Sequence, residues 1–191
     1  MTATLVKARV SILIMLIIVV MNTQSYASYD ATSCQEAMDK LAANELISGR
    51  GMNADGSINY GAGDNITRAE MAMLLARLMS GGEKNIPAAS DTYKDTESVK
   101  WASSAIALCA TNGVMGGVGD NRFAPTESIT GYQALAACIR AAGLDPVRGS
   151  GWQLQAVMVA SENGVDVQSL DLSAPLTRGD CAVIMTALLG F

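Results

Sequence analysis

Thr67, Arg68 and Glu70 stand together in the run Ile66-Thr67-Arg68-Ala69-Glu70. The same frame returns as Ile129-Thr130-Gly131-Tyr132-Gln133 and as Leu176-Thr177-Arg178-Gly179-Asp180. A threonine followed three residues later by Glu, Gln or Asp is a capping box. The hydroxyl accepts from the N3 amide, and the N3 side chain reaches back to the N-cap amide. Each copy should therefore open a helix, and apolar segments do follow, at 71–79, 134–142 and 181–189. The apolar residue ahead of the cap, Ile66, Ile129 or Leu176, can staple onto Met71, Ala134 or Cys181. Capping of this kind is worth about 1 kcal/mol. It explains every recurring residue except the arginines. A cation at the first helical position faces the positive end of the helix dipole. Two explanations stay open. Arg68 and Arg178 form salt bridges, to Glu70, Asp180 or an acid of a neighbouring unit. Or each builds an anion site from its guanidinium fork and the helix N-terminal amides.

The remaining inventory excludes most catalytic chemistry. The chain has no histidine, which removes the commonest general base and the usual Ser-His and Cys-His pairs. No enzyme, metal or cofactor is expected. The four cysteines, Cys34, Cys109, Cys138 and Cys181, contain no CxxC spacing, so a zinc or thioredoxin-like site is not expected. In an exported chain they allow two disulfides in three pairings, or four buried thiols. The segment 53–59 resembles a calcium loop in part. It carries Gly51 and Ala62 where the first and last carboxylate ligands belong, and it reads as a turn. Arg178-Gly179-Asp180 spells an adhesion tripeptide but is the third copy of the capping phrase.

The elements that must position these residues follow from the rest of the chain. Lys7 and Arg9 precede an unbroken apolar run at 12–21, and Ser25 and Ala27 set a small-residue cleavage pattern. That is the plan of a secretory signal over 1–27, and the run is too short to span a membrane. Without Lys7 and Arg9 the 13 basic residues fall to 11 against 18 acidic ones, a net charge of −7. Such a chain is a poor ligand for nucleic acid or for an anionic membrane. A second phrase also recurs. WASSAIALCATNGV at 101–114 and WQLQAVMVASENGV at 152–165 share Trp, Ala, Asn, Gly and Val, and 34–47 holds a weaker version. Each unit is thus a helix, a Gly-rich loop and a second helix. The units run over 28–80, 91–143 and 144–191, with a linker at 81–90. A two-helix unit cannot bury its own apolar faces, so the three should pack on one another. Met71, Met73 and Met79 read as core filler. Trp152 reads as a core anchor, whereas Trp101 suits core or groove equally.

Three features together resemble the S-layer homology domain family. They are the ITRAE at 66–70, the Trp-led helix ending in Asn-Gly-Val, and the G-x-G-D-N-x-F-x-P loop at 117–125. Tyr93-Lys94-Asp95-Thr96 is similar to the family's aromatic-x-Asp opening. The resemblance covers roughly 30–191. It implies a mainly α, pseudo-threefold helical bundle with grooves between three units. It also implies a secreted, non-enzymatic protein held to cell-wall polysaccharide, often through a pyruvylated amino sugar, with the motif arginine on the acidic group. The expected site is a groove joining Thr67, Arg68 and Glu70 to Asp95, Lys100, Trp101 and Gly116, with Arg178 as a second choice. Repeat two has Gly131 in place of the arginine and should be silent. The family is typically cysteine-poor, so bridges Cys109–Cys138 within one repeat and Cys34–Cys181 across the ring are expectations of this chain alone. The alternative function is a structural surface-layer protein acting through protein–protein contacts, with other surface-layer proteins as partners.

Overall fold

The computed structural model describes residues 28–90, 93–144 and 149–191. The signal reading over 1–27 lies outside them. The described residues form six α-helices and one two-stranded hairpin. The helices are α1 (Ala31–Ala43), α2 (Arg68–Ser80), α3 (Ser103–Thr111), α4 (Gly131–Ala141), α5 (Trp152–Glu162) and α6 (Arg178–Leu189). The hairpin pairs β1 (Gly51–Met52) with β2 (Ile58–Asn59), antiparallel. Its turn spends Asp55 on the amide of Ser57, at 2.9 Å.

All three recurring phrases start helices at the expected residue. Thr67 caps α2, and its own amide donates to Glu70 Oε2 at 2.9 Å. Thr130 caps α4, with a longer return bond to Gln133 at 3.4 Å. Thr177 caps α6 and pairs with Asp180 at 3.1 Å in both directions. The first helices follow the sequence less closely. Trp152 opens α5, but Trp101 lies in a 3-10 turn, Glu97–Ala102, ahead of α3. Val99, with φ −127°, breaks the helical run there. In repeat one Asp30 caps α1 by accepting from the amides of Thr32 and Ser33.

The stapling residues do more than fix the helix entry. Ile66 N donates to Leu176 O at 3.1 Å, Leu176 N to Ile129 O at 3.0 Å, and Ile129 N to Ile66 O at 3.1 Å. These three bonds close a ring, and the capping phrases meet around one pseudo-threefold axis. From that ring α2, α4 and α6 run into the core. Met71, Leu75, Ala134, Leu135, Ile139, Cys181 and Ile184 are fully buried. Met73 and Met79 pack on this core from half-buried positions.

Helices pair across the repeat boundaries. α1 packs on α6, α3 on α2 and α5 on α4, while α4 also packs against α2 and α6. The two helices of one repeat are thus not the closest partners, which corrects the expected bridges. Cys109 on α3 and Cys138 on α4 belong to different helix pairs, and Cys109 Sγ turns to Ala72 O at 3.4 Å. Cys34 on α1 and Cys181 on α6 do sit on paired helices. Cys34 Sγ, however, packs where a Cβ on Gly179 would stand, 2.7 Å away. Two residues along a helix turn the side chain about 200° away, so Cys181 points into the core, beside Cys138. All four thiols are free and buried. Burial pushes Cys109 and Cys138 up to about 12, so neither is a ready thiolate.

Candidate anion-binding groove

The ring that positions the helices also uses up their N-termini. Arg68 N donates to Glu127 O at 2.9 Å and Ala69 N to Pro125 O at 2.9 Å, while Glu70 N bonds Thr67 Oγ1 at 3.2 Å. In α4, Gly131 N donates to Ala174 O and Tyr132 N to Leu172 O. In α6, Arg178 N donates to Asp64 O and Gly179 N to Ala62 O. An anion site made from free helix amides, one of the two sequence explanations for the arginines, is therefore not available. Only the guanidinium part of that explanation survives.

Arg68 is 6% exposed. Its Nε donates to Phe123 O at 2.8 Å and its Nη2 to Gly116 O at 2.7 Å, both in the loop of repeat two. Its guanidinium lies 4.8 Å from the Phe123 ring centre, a cation–π distance. Asp95 supports this loop from behind, accepting from the amides of Phe123 and Ala124 at 2.8 and 2.9 Å. Burial pulls the Arg68 pKa down, and Glu127, Tyr93 and Asp95 nearby pull it back up in part. Among the described residues no carboxylate reaches Arg68 within ion-pair distance. A buried cation held only by carbonyls and by carboxylates beyond ion-pair distance is costly.

Arg68 lines a cavity of about 220 Å³ with Gly116, Gln133, Arg140, Gly149 and Trp152. Arg140 holds the neighbouring loop through Val114 O at 3.3 Å. Trp152 meets Tyr132 edge to face, with ring centres 6.4 Å apart. No acidic side chain lines the cavity among the described residues. Arg68, Gln133 and Trp152 stand around an open hollow whose remaining wall includes Val114, Met115, Ile129 and Ala136, a setting for a small anion attached to an apolar or sugar ring.

The expected groove residues divide accordingly. Arg68 and Gly116 line the cavity, and Asp95 braces its loop. Thr67 and Glu70 cap the helix and do not line the cavity, Glu70 pairing instead with Arg50 and Arg178. Lys100 instead pairs with Glu97 at 2.5 Å and lines a separate polar hollow with Tyr93, Lys94 and Ser104. Trp101 is 56% exposed and lies outside the Arg68 cavity. Arg178 sits at the next junction. It is 7% exposed, its Nε donates to Tyr60 O at 3.0 Å, and Glu70 stands 3.6 Å from its Nη1. Sequence reasoning missed Gln133, Arg140 and Trp152 as groove residues. No local signal marked them, since only the pairing of helices across repeats brings Trp152 to Arg68.

The third junction lacks the arginine and is tight at Gly131, beside a hollow of about 250 Å³ lined by Tyr132, Leu170, Asp171, Leu172 and Ser173. A Cβ on Gly131 would stand 2.6 Å from Leu172 Cα. Tyr29 spans the space between repeats three and one, its amide on Asp180 Oδ1 and its hydroxyl on Asp166 O, both at 2.9 Å.

Residues 27–72 and 92–135 match the S-layer homology domain. Over 148 residues, 76% of its length, the chain is 28% identical to a middle cell wall protein of Brevibacillus brevis. It is 33% identical over 135 residues, 65% of its length, to a surface layer protein of Brevibacillus choshinensis. A cellulosome-anchoring protein of Acetivibrio thermocellus is 38% identical over 68 residues, 35% of this chain. The chain spans only 12–15% of these relatives' own length. The two matches take in Arg68, Gly116 and Gln133 of the cavity and leave Arg140, Gly149 and Trp152 outside. These matches put the chain at the cell surface or in the cell wall.

Proposed function

We propose that this chain binds cell-wall polysaccharide non-covalently through the Arg68 cavity and so holds itself at the cell surface. The ligand is an acidic sugar of the pyruvylated amino-sugar class. In this reading residues 1–27 serve as an export signal and residues 144–191 are a third, degenerate S-layer homology repeat. The observation that carries it is Arg68, buried with no ion pair among the described residues at the wall of an open cavity that also holds Arg140 and Trp152. An external carboxylate there supplies the missing counter-charge in a charge-assisted, bidentate geometry. The chemistry asked of the protein is positioning and charge neutralisation, with no bond made or broken.

The test is retention of residues 28–191 on purified wall sacculi, before and after acid removal of the secondary polysaccharide. Retention that disappears with the polysaccharide supports the reading. Equal retention on both, or none on either, overturns it. A second reading, assembly with other surface-layer proteins, draws on Leu154 and Met158. They stand one turn apart on α5 and are 66% and 54% exposed. Polysaccharide-independent retention on intact surface layers would favour it.

A further inference from the structure

The helix start that lacks the arginine carries a large side chain at the next position. The second helical residue is Ala69 in α2 and Gly179 in α6, both buried, but it is Tyr132 in α4. Tyr132 N still holds the loop of repeat three through Leu172 O at 2.9 Å, so the backbone plan is kept. Its half-buried ring meets Trp152 with 6.4 Å between centres and 82° between planes. Trp152 lines the Arg68 cavity, and Tyr132 lines the hollow of about 250 Å³ beside Gly131. The aromatic pair therefore stands between the two hollows.

The second hollow has a different chemistry. Leu170 and Leu172, both buried, give it an apolar wall. Its polar side chains are Tyr132, Asp171 and Ser173. Asp171 Oδ1 accepts from the hydroxyl and the amide of Ser173, at 2.6 and 3.0 Å, and these bonds hold its pKa below the usual carboxylate range. Asp171 Oδ2 and the Tyr132 hydroxyl make no hydrogen bond among the described residues. Among those residues no lysine or arginine lines the hollow.

We infer that this hollow is a second sugar subsite, and that the chain reads two neighbouring sugars of the polysaccharide, the acidic one at Arg68 and a neutral, hydroxyl-rich one between Tyr132 and Asp171. The inference rests on the reading of the Arg68 cavity as a glycan site. A carboxylate with an open oxygen accepts from sugar hydroxyls, a phenol donates or accepts, and an apolar wall takes the C–H face of the ring. The same carboxylate repels a second acidic sugar, with no cation in the lining to offset it.

Wild type, Tyr132→Phe and Asp171→Ala would be titrated in a calorimeter, with thermal melts as fold controls. The probes are a pyruvylated hexosamine, that sugar joined to an unmodified N-acetylhexosamine in each order of linkage, and a disaccharide pyruvylated on both sugars. In one order the mixed disaccharide should bind wild type about tenfold or more tighter than the monosaccharide, the gain of two added hydrogen bonds. Each variant should lose about fivefold of that gain, the share of one hydrogen bond, with monosaccharide affinity unchanged. The doubly acidic disaccharide should show no gain. Mixed disaccharides that bind no tighter than the monosaccharide in either order, a full gain kept by either variant, or an equal gain from the doubly acidic disaccharide would overturn the inference. In each of those outcomes monosaccharide binding leaves the glycan reading standing. Absence of binding by every probe would overturn both.

Discussion

Two junctions of one molecule carry a buried arginine whose Nε holds a loop carbonyl, Phe123 O for Arg68 and Tyr60 O for Arg178, yet their charged neighbours differ. Arg68 spends its hydrogen bonds on the carbonyls of Gly116 and Phe123 and makes no ion pair among the described residues. Arg178 meets Glu70, which is itself tied to Arg50 and to Thr67. The arginine phrase alone therefore does not define an anion site. Around Arg178 the charges are of both signs, Arg50 with Glu70 and Asp64, whereas Arg68 has the carboxylates Glu127 and Asp95 nearby. The third junction extends the comparison, because there the arginine is missing and Gly131 is tight beside a hollow lined by Tyr132 and Asp171.

The largest expected effect separates the two arginines. Arg68→Ala should weaken retention on wall polysaccharide about 30-fold or more, the usual cost of truncating a buried charged contact of about 2 kcal/mol or more. Arg178→Ala should change it by less than about twofold, within the range of contacts that carry no binding energy. Both would be read from binding isotherms on sacculi, beside thermal melts, because each arginine also braces a loop. Equal losses would erase the distinction.

Gly131→Arg sharpens the comparison from the other side. Restoring the arginine in repeat two should create no third site. A Cβ there collides with Leu172 Cα at 2.6 Å, and overpacking of that kind costs about 1–3 kcal/mol. A lowered melting temperature with unchanged ligand stoichiometry is the expected pair of results. A smaller effect is expected at the indoles. Trp152→Ala should lose about fivefold in affinity, in the range of about 1 kcal/mol for an aromatic contact. Trp101→Ala should be neutral in the same isotherms.

The smallest effect concerns acid. Burial alone would raise the pKa of Asp95, but the Phe123 and Ala124 amides outweigh it and hold the carboxyl below its usual range. Burial likewise opposes ionisation of Glu70, and its bonds to Thr67 and the two arginines bring the pKa down. Both groups bind protons less readily folded than unfolded. Their stabilisation is complete above about pH 4 and is lost as pH falls through the lowered folded values. Melts between pH 5 and about pH 2 should show the loss for wild type and a shallower one for Asp95→Asn.

Helix starts were legible in the sequence because a capping box is local. Thr67, Thr130 and Thr177 announce α2, α4 and α6 without reference to anything distant. The pairing of helices was not legible, since it depends on the ring made by Ile66, Ile129 and Leu176, and nothing local marks which repeat a first helix will join. That is why Cys109 and Cys138 looked close and are not partners. It is also why Trp101 was placed at Arg68 when Trp152 stands there. The hairpin of Gly51–Met52 with Ile58–Asn59 was too short to show period-two alternation.

The chain has two tryptophans, of which Trp152 lines the Arg68 cavity and Trp101 lies outside it. The most direct test is therefore an NMR titration of the 15N-labelled protein with a pyruvylated hexosamine, following the two indole N–H signals. The account predicts that the Trp152 signal shifts to saturation while the Trp101 signal stays in place. Movement of Trp101 alone, equal movement of both, or no movement of either would contradict it.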